Sequence, residues 1–226
     1  LFVERDALPA TRRRILAAAG ALFAERGFRG ATMREIAQRA RVNLASAHYH
    51  FGSKQALYLE VVRGEFERLE QRLAARGAQV GAPLEALSRA ELEDLLRRRV
   101  ETMLETVLDA ASVHGPIMQR EMTDPSGALP VIVKQFIDPQ RREMDRIVGR
   151  LAPGLSQAEV EFCTRSLVGQ TFFYLTHKPA LLLLLGRKSY PRGLTRVAAA
   201  HITAFSLGGL EKLAAEHRPE GARHAS

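Results

Sequence analysis

Along almost the whole chain, apolar residues recur at steps of three and four, and no clear period-two run interrupts them. That spacing lines one face of a helix, whereas a half-buried strand needs strict alternation. The chain is therefore expected to be all-α. A first helix is predicted from about Thr11 to Arg26, with Ile15, Ala19, Leu22 and Phe23 on one face. Gly27 in "ERGF" closes it as a left-handed C-terminal residue. Thr32 and Glu35 stand at capping-box spacing, so a second helix starts at Met33 and ends near Ala40. Asn43 caps a third, which stops at Gly52. Ser53 caps a fourth, long helix through Leu57, Val61, Val62 and Leu69.

The chain has 226 residues, 46% hydrophobic and 26% charged, enough for one large domain or two small ones with a proper core. The longest apolar run, around "PALLLLLG", is far short of the ~20 residues of a membrane span, so no membrane partner is expected. The opening "LFVERD" has neither the basic nor the long apolar region of a signal peptide, and its lack of Met suggests a trimmed start. A single cysteine, Cys163, excludes an intramolecular disulfide and suits a reducing cytoplasm. The net charge is +8, and residues 1–54 hold ten Lys and Arg against four Asp and Glu. Residues 55–226 hold 23 against 21, so the excess sits in the first quarter. This fits a polyanion-binding head on a near-neutral body, and equally a solubilising surface.

Two short helices joined by a three-residue turn make a helix-turn-helix, although helical hairpins also occur in many proteins that bind no DNA. Ile36 and Val42 are apolar where the helices must meet, and Ala37 and Ala47 are small enough for a close crossing. If Val42, Ala47 and Phe51 face the core, then Leu44, Ala45, Ser46, His48, Tyr49 and His50 are left for the rim and the outside. His and Tyr can donate to phosphates or bases, and Leu44 and Ala45 suit a thymine methyl. Lys54 falls in the first turn of the fourth helix, where the macrodipole disfavours a cation. A phosphate there would remove the conflict, though an exposed lysine is also common on any surface.

The residues "ILAAAGALFAERGFRGATMREIAQRARVNLASAHYHFGSKQALY", within Arg12–Leu59, resemble the DNA-binding domain of the tetracycline-repressor (TetR) family of bacterial transcription regulators. "LVGQTFFYLTHKPALLLLLGRKSY" more weakly resembles the C-terminal domain of its CecR-like branch. The resemblance implies a three-helix DNA-binding head, residues 9–54, and a larger helical ligand-binding and dimerisation domain, residues 55–217, with flexible ends at 1–8 and 218–226. It implies a homodimer on a palindromic double-stranded DNA operator, with residues 44–50 in the major groove. Thr32 and Lys54 match positions that commonly hold phosphates in the family, and His48 and Tyr49 match positions that touch backbone or bases. Two positions depart from the pattern. Arg41 stands where the turn usually has Gly, at a cost on the order of 1 kcal/mol if φ is positive there, which a phosphate contact could offset. His48 stands where Tyr is common, which could make binding pH-sensitive.

Residues 156–177 and 193–217 read as long helices. The first carries Val160, Cys163, Leu167, Gln170, Thr171 and Tyr174 near heptad spacing, and the second carries Ile202, Phe205, Ser206, Gly209 and Leu213 likewise. Small residues (Ser166, Gly169, Ala198, Ala199, Gly208, Gly209) would let helices approach closely. The resemblance implies that this pair forms an intersubunit four-helix bundle, while the periodicity fits an ordinary core equally well. In the middle helices, roughly 83–112 and 116–149, Met103, Met118, Met122 and Phe136, with Phe172 and Phe173, could line an apolar effector pocket or simply be core. "REMTDPSGALP" breaks the pattern, as a ligand gate or a plain loop.

An enzyme is not expected. His48 and His50 lie about 200° apart on a helix and cannot share a metal there. His114, His177 and His201 have no partner at ligand spacing, and no nucleophile triad, phosphate loop or carboxylate pair is present. The expectation is a repressor that needs no cofactor and is released by a small apolar or amphipathic effector. A redox- or pH-sensing regulator without a pocket, and a helical interaction protein that binds no DNA, are the alternatives.

Overall fold

The computed structural model describes residues 10–80 and 83–217, and all regular structure among them is helical. The ends at 1–8 and 218–226 lie outside the described residues. The α-helices are α1 (Ala10–Gly30), α2 (Met33–Ala40), α3 (Leu44–Phe51), α4 (Lys54–Ala75), α5 (Arg89–Leu108), α6 (His114–Thr123), α7 (Leu129–Ile132), α8 (Asp138–Leu151), α9 (Gln157–Thr176), α10 (Lys178–Leu184) and α11 (Leu194–Glu216). The second predicted middle helix, 116–149, is divided into α6, α7, a π-helical turn at Val133–Ile137 and α8.

Two compact units account for the chain: residues up to Arg68 with Asp109–Phe136, and Leu69–Leu108 with the residues from Ile137 onward. The sequence suggested a single boundary after Lys54, whereas these units interleave. The reason lies in the first unit. The eight-residue α2 and α3 bury little against α1 alone, and here the start of α4 and all of α6 complete their core. Ile15, Ala19, Leu22 and Phe23 of α1 are buried with Leu57, Tyr58, Val61 and Val62 of α4 and with Ile117 and Met118 of α6. Phe23 meets Tyr58 edge-on, with ring centroids 4.8 Å apart.

Polar contacts fix the same packing. The buried Tyr58 hydroxyl donates to Glu121 Oε1 at 2.6 Å, and the Ser126 amide donates to Glu121 Oε2 at 3.2 Å. Burial, reinforced by this carboxylate, pushes the Tyr58 hydroxyl far above the usual phenol range. Regular helix in α1 is interrupted at Gly27, whose φ of +73° favours glycine. Arg120 of α6 answers the carbonyls freed there: its Nε donates to Ala24 O at 2.9 Å and its Nη2 to Glu25 O.

In the second unit α5 packs against α8, α9 and α11. Leu92, Leu96, Val100 and Leu104 form a core with Ile147, Val148, Leu151, Val160, Leu167, Ala199 and Ile202. Arg99 is fully buried beside this core. Its guanidinium donates to Ala78 O and Gln140 Oε1, both at 3.0 Å, and pairs with Glu143 at 2.8 Å. Desolvation lowers its pKa, against the opposing pull of Glu143.

Candidate nucleic-acid interface

The helix-turn-helix is built locally as its caps dictate. The Glu35 amide donates to Thr32 Oγ1 at 3.2 Å, and Glu35 Oε2 accepts from the Thr32 amide at 3.0 Å and the Thr32 hydroxyl at 2.7 Å. The Thr32 hydroxyl, followed by the Thr32 amide, holds the Glu35 carboxyl below its ordinary range. Asn43 Oδ1 accepts from the Ser46 amide at 2.6 Å and so starts α3. Ile36, Ala37, Ala40, Ala47 and Phe51 are buried, whereas Val42, expected in the core, is only half-buried at the turn.

Arg41 does adopt a positive φ, at φ 54° and ψ 48°. Its amide donates to Ala37 O and Gln38 O. Arg14 of α1 closes the turn from the other side: its Nε donates to Ala40 O at 2.9 Å, and its Nη2 donates to both Ala40 O and Arg41 O. The left-handed residue is thus held by hydrogen bonds on both its faces, a compensation supplied 27 residues away in sequence.

On α3, Leu44, Ala45, His48 and Tyr49 are exposed. At about 100° per residue they span one arc of roughly 140°, bordered on the Leu44 side by Phe51 and Ala47. Tyr49 is 87% exposed, and Leu44 41%. Ser46 and His50 are half-buried and lie beyond Tyr49, His50 on the far side of the helix from the arc's centre. The His50 ring stands edge-on to Tyr49 at 5.4 Å. His48 Nδ1 lies 2.9 Å from the Gly52 carbonyl oxygen.

The basic excess of the head is largely engaged within it. Arg12 pairs with Glu60 at 2.8 Å, and Arg26 with Glu35, Arg29 with Asp124 and Arg39 with Glu25, each at 2.7 Å. Among the described residues, Arg34 and Arg41 are exposed with no side-chain ion pair. Arg34, in the first turn of α2, was not singled out from sequence; a basic residue just after a cap was the available signal.

Lys54 departs from the phosphate-facing geometry expected of it. Its ammonium turns back to donate to Phe28 O at 2.9 Å and Ala31 O at 3.1 Å, and it lies 4.4 Å from the Phe28 ring centroid. The dipole conflict at the start of α4 is relieved by carbonyl oxygens of the chain itself. Two of the three ammonium donors are spent there, and the side chain ties α4 to the end of α1.

The family model for bacterial regulatory proteins of the tetR family matches residues 15–61, and that for the C-terminal domain of the HTH-type transcriptional dual regulator CecR matches residues 92–210. The chain belongs to the TetR family, with a CecR-type C-terminal domain. The transcriptional dual regulator CecR of Shigella flexneri is 26% identical over 196 residues, 85% of this chain and 87% of that protein. The transcriptional repressor KstR2 of Rhodococcus jostii is 39% identical over 79 residues, 34% of this chain and 39% of the relative. Among solved structures, a tetR-family regulatory protein from Rhodococcus RHA1 superposes with a TM-score of 0.66 at 18% identity, covering 90% of this chain and 98% of the other. AibR, solved with isovaleryl coenzyme A and operator DNA, gives 0.62 at 16% identity, covering 88% and 97%. These two structures speak to the fold. The family consists of transcriptional regulators, so this TetR-family member is a regulator and not an enzyme.

The residues proposed to line an effector pocket divide between the two units. In the first, Met118 is core, Met122 is 56% exposed, and Phe136 stacks on Phe66 with centroids 5.3 Å apart. In the second, Met103 is packed against the hydrophobic core, Phe172 is half-buried, and Phe173 is exposed and stacks on His177 at 4.4 Å. None of the six lines a cleft in the second unit. That cleft, of about 190 Å³, is formed by Val80, Leu84, Leu87 and Leu95 with Gln79, Glu91, Arg98 and Gly77.

The heptad residues of the two long helices also divide. Val160, Leu167 and Thr171 of α9 and Ile202 of α11 face the core of their own unit. Exposed instead are Phe162, Ser166, Gly169 and Phe173 on α9, and Val197, His201, Phe205 and Gly208 on α11. Of the small residues expected to permit close approach, Ala198 and Ala199 are buried, while Ser166, Gly169, Gly208 and Gly209 are exposed.

Proposed function

We propose that this protein is a ligand-responsive repressor that binds a palindromic operator as a homodimer, with the exposed arc of α3 in the major groove. The observation that carries the reading is the arc itself. Leu44, Ala45, His48 and Tyr49 face outward together on a helix whose adjoining edge is buried through Ala47 and Phe51. A surface that offers apolar groups, a phenol and an imidazole, without acidic residues, suits base edges and methyl groups. Ser46 stands beyond its Tyr49 edge. Arg34 and Arg41, with the first turn of α2 at Thr32, serve the phosphates. Lys54 acts from behind, by setting where α4 begins.

The homodimer is assigned to the exposed stripes of α9 and α11. Phe162 at 66%, Val197 at 64% and Phe205 at 68% exposure are large apolar side chains that a second subunit would cover. The CecR-type domain takes a small apolar or amphipathic effector, which favours a state whose heads no longer match the half-site spacing; such couplings amount to about 1–3 kcal/mol. A regulator of this kind works in the cytoplasm, where its operator is. Among the described residues, no helix is long and apolar enough to cross a membrane.

The redox alternative is disfavoured by Cys163. Burial first, then Glu159, raises its thiol pKa, leaving little thiolate at neutral pH. The proposal is tested by enriching a random duplex pool on the purified protein and measuring affinity for the selected and scrambled duplexes against salt. An inverted repeat bound about 10³-fold or more above the scrambled duplex is expected. Equal affinity for both would leave only the interaction-protein reading.

A further inference from the structure

We propose that His48 reads an exocyclic amino group, N4 of cytosine or N6 of adenine, through Nε2 acting as a hydrogen-bond acceptor. This rests on the reading that the α3 arc faces DNA, and it assigns that arc a base chemistry.

The argument starts from the 2.9 Å contact between His48 Nδ1 and the Gly52 carbonyl oxygen. A carbonyl only accepts, so Nδ1 carries the hydrogen. A neutral imidazole has a single N–H, and Nε2 is therefore left with a lone pair. The ring is also held in place. The Gly52 amide donates to His48 O at 2.7 Å while the His48 side chain donates to Gly52 O, so residue and turn are tied twice. Gly52 reaches this arrangement with a φ of +70°, a conformation that favours glycine.

Among the described residues, no group bonds to Nε2 of this exposed ring. It is presented on the same arc as Leu44, Ala45 and Tyr49. A lone pair so placed discriminates sharply. Phosphate oxygens, guanine O6 and N7 and thymine O4 offer only acceptors and would be repelled. The donors in the major groove are the amino groups of cytosine and adenine. A tyrosine at this position could donate to a phosphate through its hydroxyl. The neutral, Gly52-bound histidine cannot donate through Nε2, so exchanging one for the other changes the kind of atom recognised.

The test uses the duplex selected by the full chain, near pH 8. Each adenine is replaced in turn by purine, and each cytosine by 2-pyrimidinone, which delete the amino group and retain the ring. Wild-type protein is expected to lose about tenfold in affinity at one position per half-site. His48→Phe, which keeps a ring but cannot accept, should be indifferent to the analogue at that same position. His48→Gln, whose carbonyl can accept, should retain part of the sensitivity and covers the case in which the Phe variant fails to fold. The proposal is overturned if no deletion is silenced by replacing His48, or if replacement weakens every sequence alike, the mark of a phosphate contact. If wild-type protein prefers no duplex at all, the reading of the arc fails first, and the proposal falls with it.

Discussion

Replacing Arg41 by glycine separates the turn's internal energetics from its role toward DNA. Arg41 is the non-glycine residue with positive φ among the described residues, at φ 54° and ψ 48°. A side chain in that region costs about 1–2 kcal/mol, because Cβ approaches the following carbonyl oxygen. Glycine removes this cost but gains freedom in the unfolded chain, returning roughly 0.4–1 kcal/mol. The bonds around the turn involve backbone groups of residues 37, 38, 40 and 41 and the Arg14 guanidinium, so the substitution leaves them intact. Arg41→Gly should therefore stabilise the protein by about 0.5–1 kcal/mol, read as a rise in urea midpoint at unchanged slope. It also removes an exposed cation. Affinity should fall on all duplexes alike, and the slope of log affinity against log salt should shrink by about one. Destabilisation would refute the strain argument. A stabilised protein with an unchanged salt slope would refute the phosphate role alone.

Lys54→Ala deletes two charge-assisted bonds to Phe28 O and Ala31 O and should cost about 1–3 kcal/mol in denaturant titrations. Its salt slope, corrected for folded fraction, should stay near the wild-type value, and a flattened slope would restore Lys54 to the phosphate. Tyr58→Phe strips a buried Glu121 of its 2.6 Å donor and should destabilise by about 1–2 kcal/mol in the same assay; a neutral effect would mean that the hydroxyl is dispensable to the core. His217, at the end of α11, is raised above its usual pKa by the Leu213 carbonyl and then by Glu159, 2.9 Å away. A raised cation stabilises fully below about pH 6.5 and loses its contribution as pH climbs through the folded value. His217→Ala should therefore lower the melting temperature slightly at pH 6 and leave it unchanged at pH 9; the reverse order would contradict the assignment.

Features written in local sequence were legible before any coordinates. Thr32 with Glu35, Asn43 with Ser46, and Gly27 concern residues a few positions apart, and caps and left-handed glycines act at that range. The need for positive φ at Arg41 could be posed from the family pattern, but not its answer. Arg14 bonds a carbonyl 27 positions away, and no spacing rule reaches that far. For Lys54 the dipole conflict is visible in sequence, whereas the Phe28 and Ala31 carbonyls that answer it arrive only when α1 folds back. The long helices taught a further limit. Heptad spacing correctly marked Val160 and Leu167 as interface residues, but the interface is internal, and the stripe left open, Phe162 to Phe173, follows the same period one face round. Arg120 and Glu121 were invisible because nothing in residues 114–123 announces that they complete the core of a helix-turn-helix nearly a hundred residues earlier.

The central claim is that the exposed arc of α3 is the surface that meets DNA. It is tested by placing a photo-crosslinking phenylalanine analogue at Tyr49 and, as a control, at the exposed Glu85 of the second unit, then irradiating each protein with labelled operator. Crosslinking of the DNA strand from position 49 and none from position 85 is the predicted result. Crosslinks from 85 with none from 49 would place the DNA on another face.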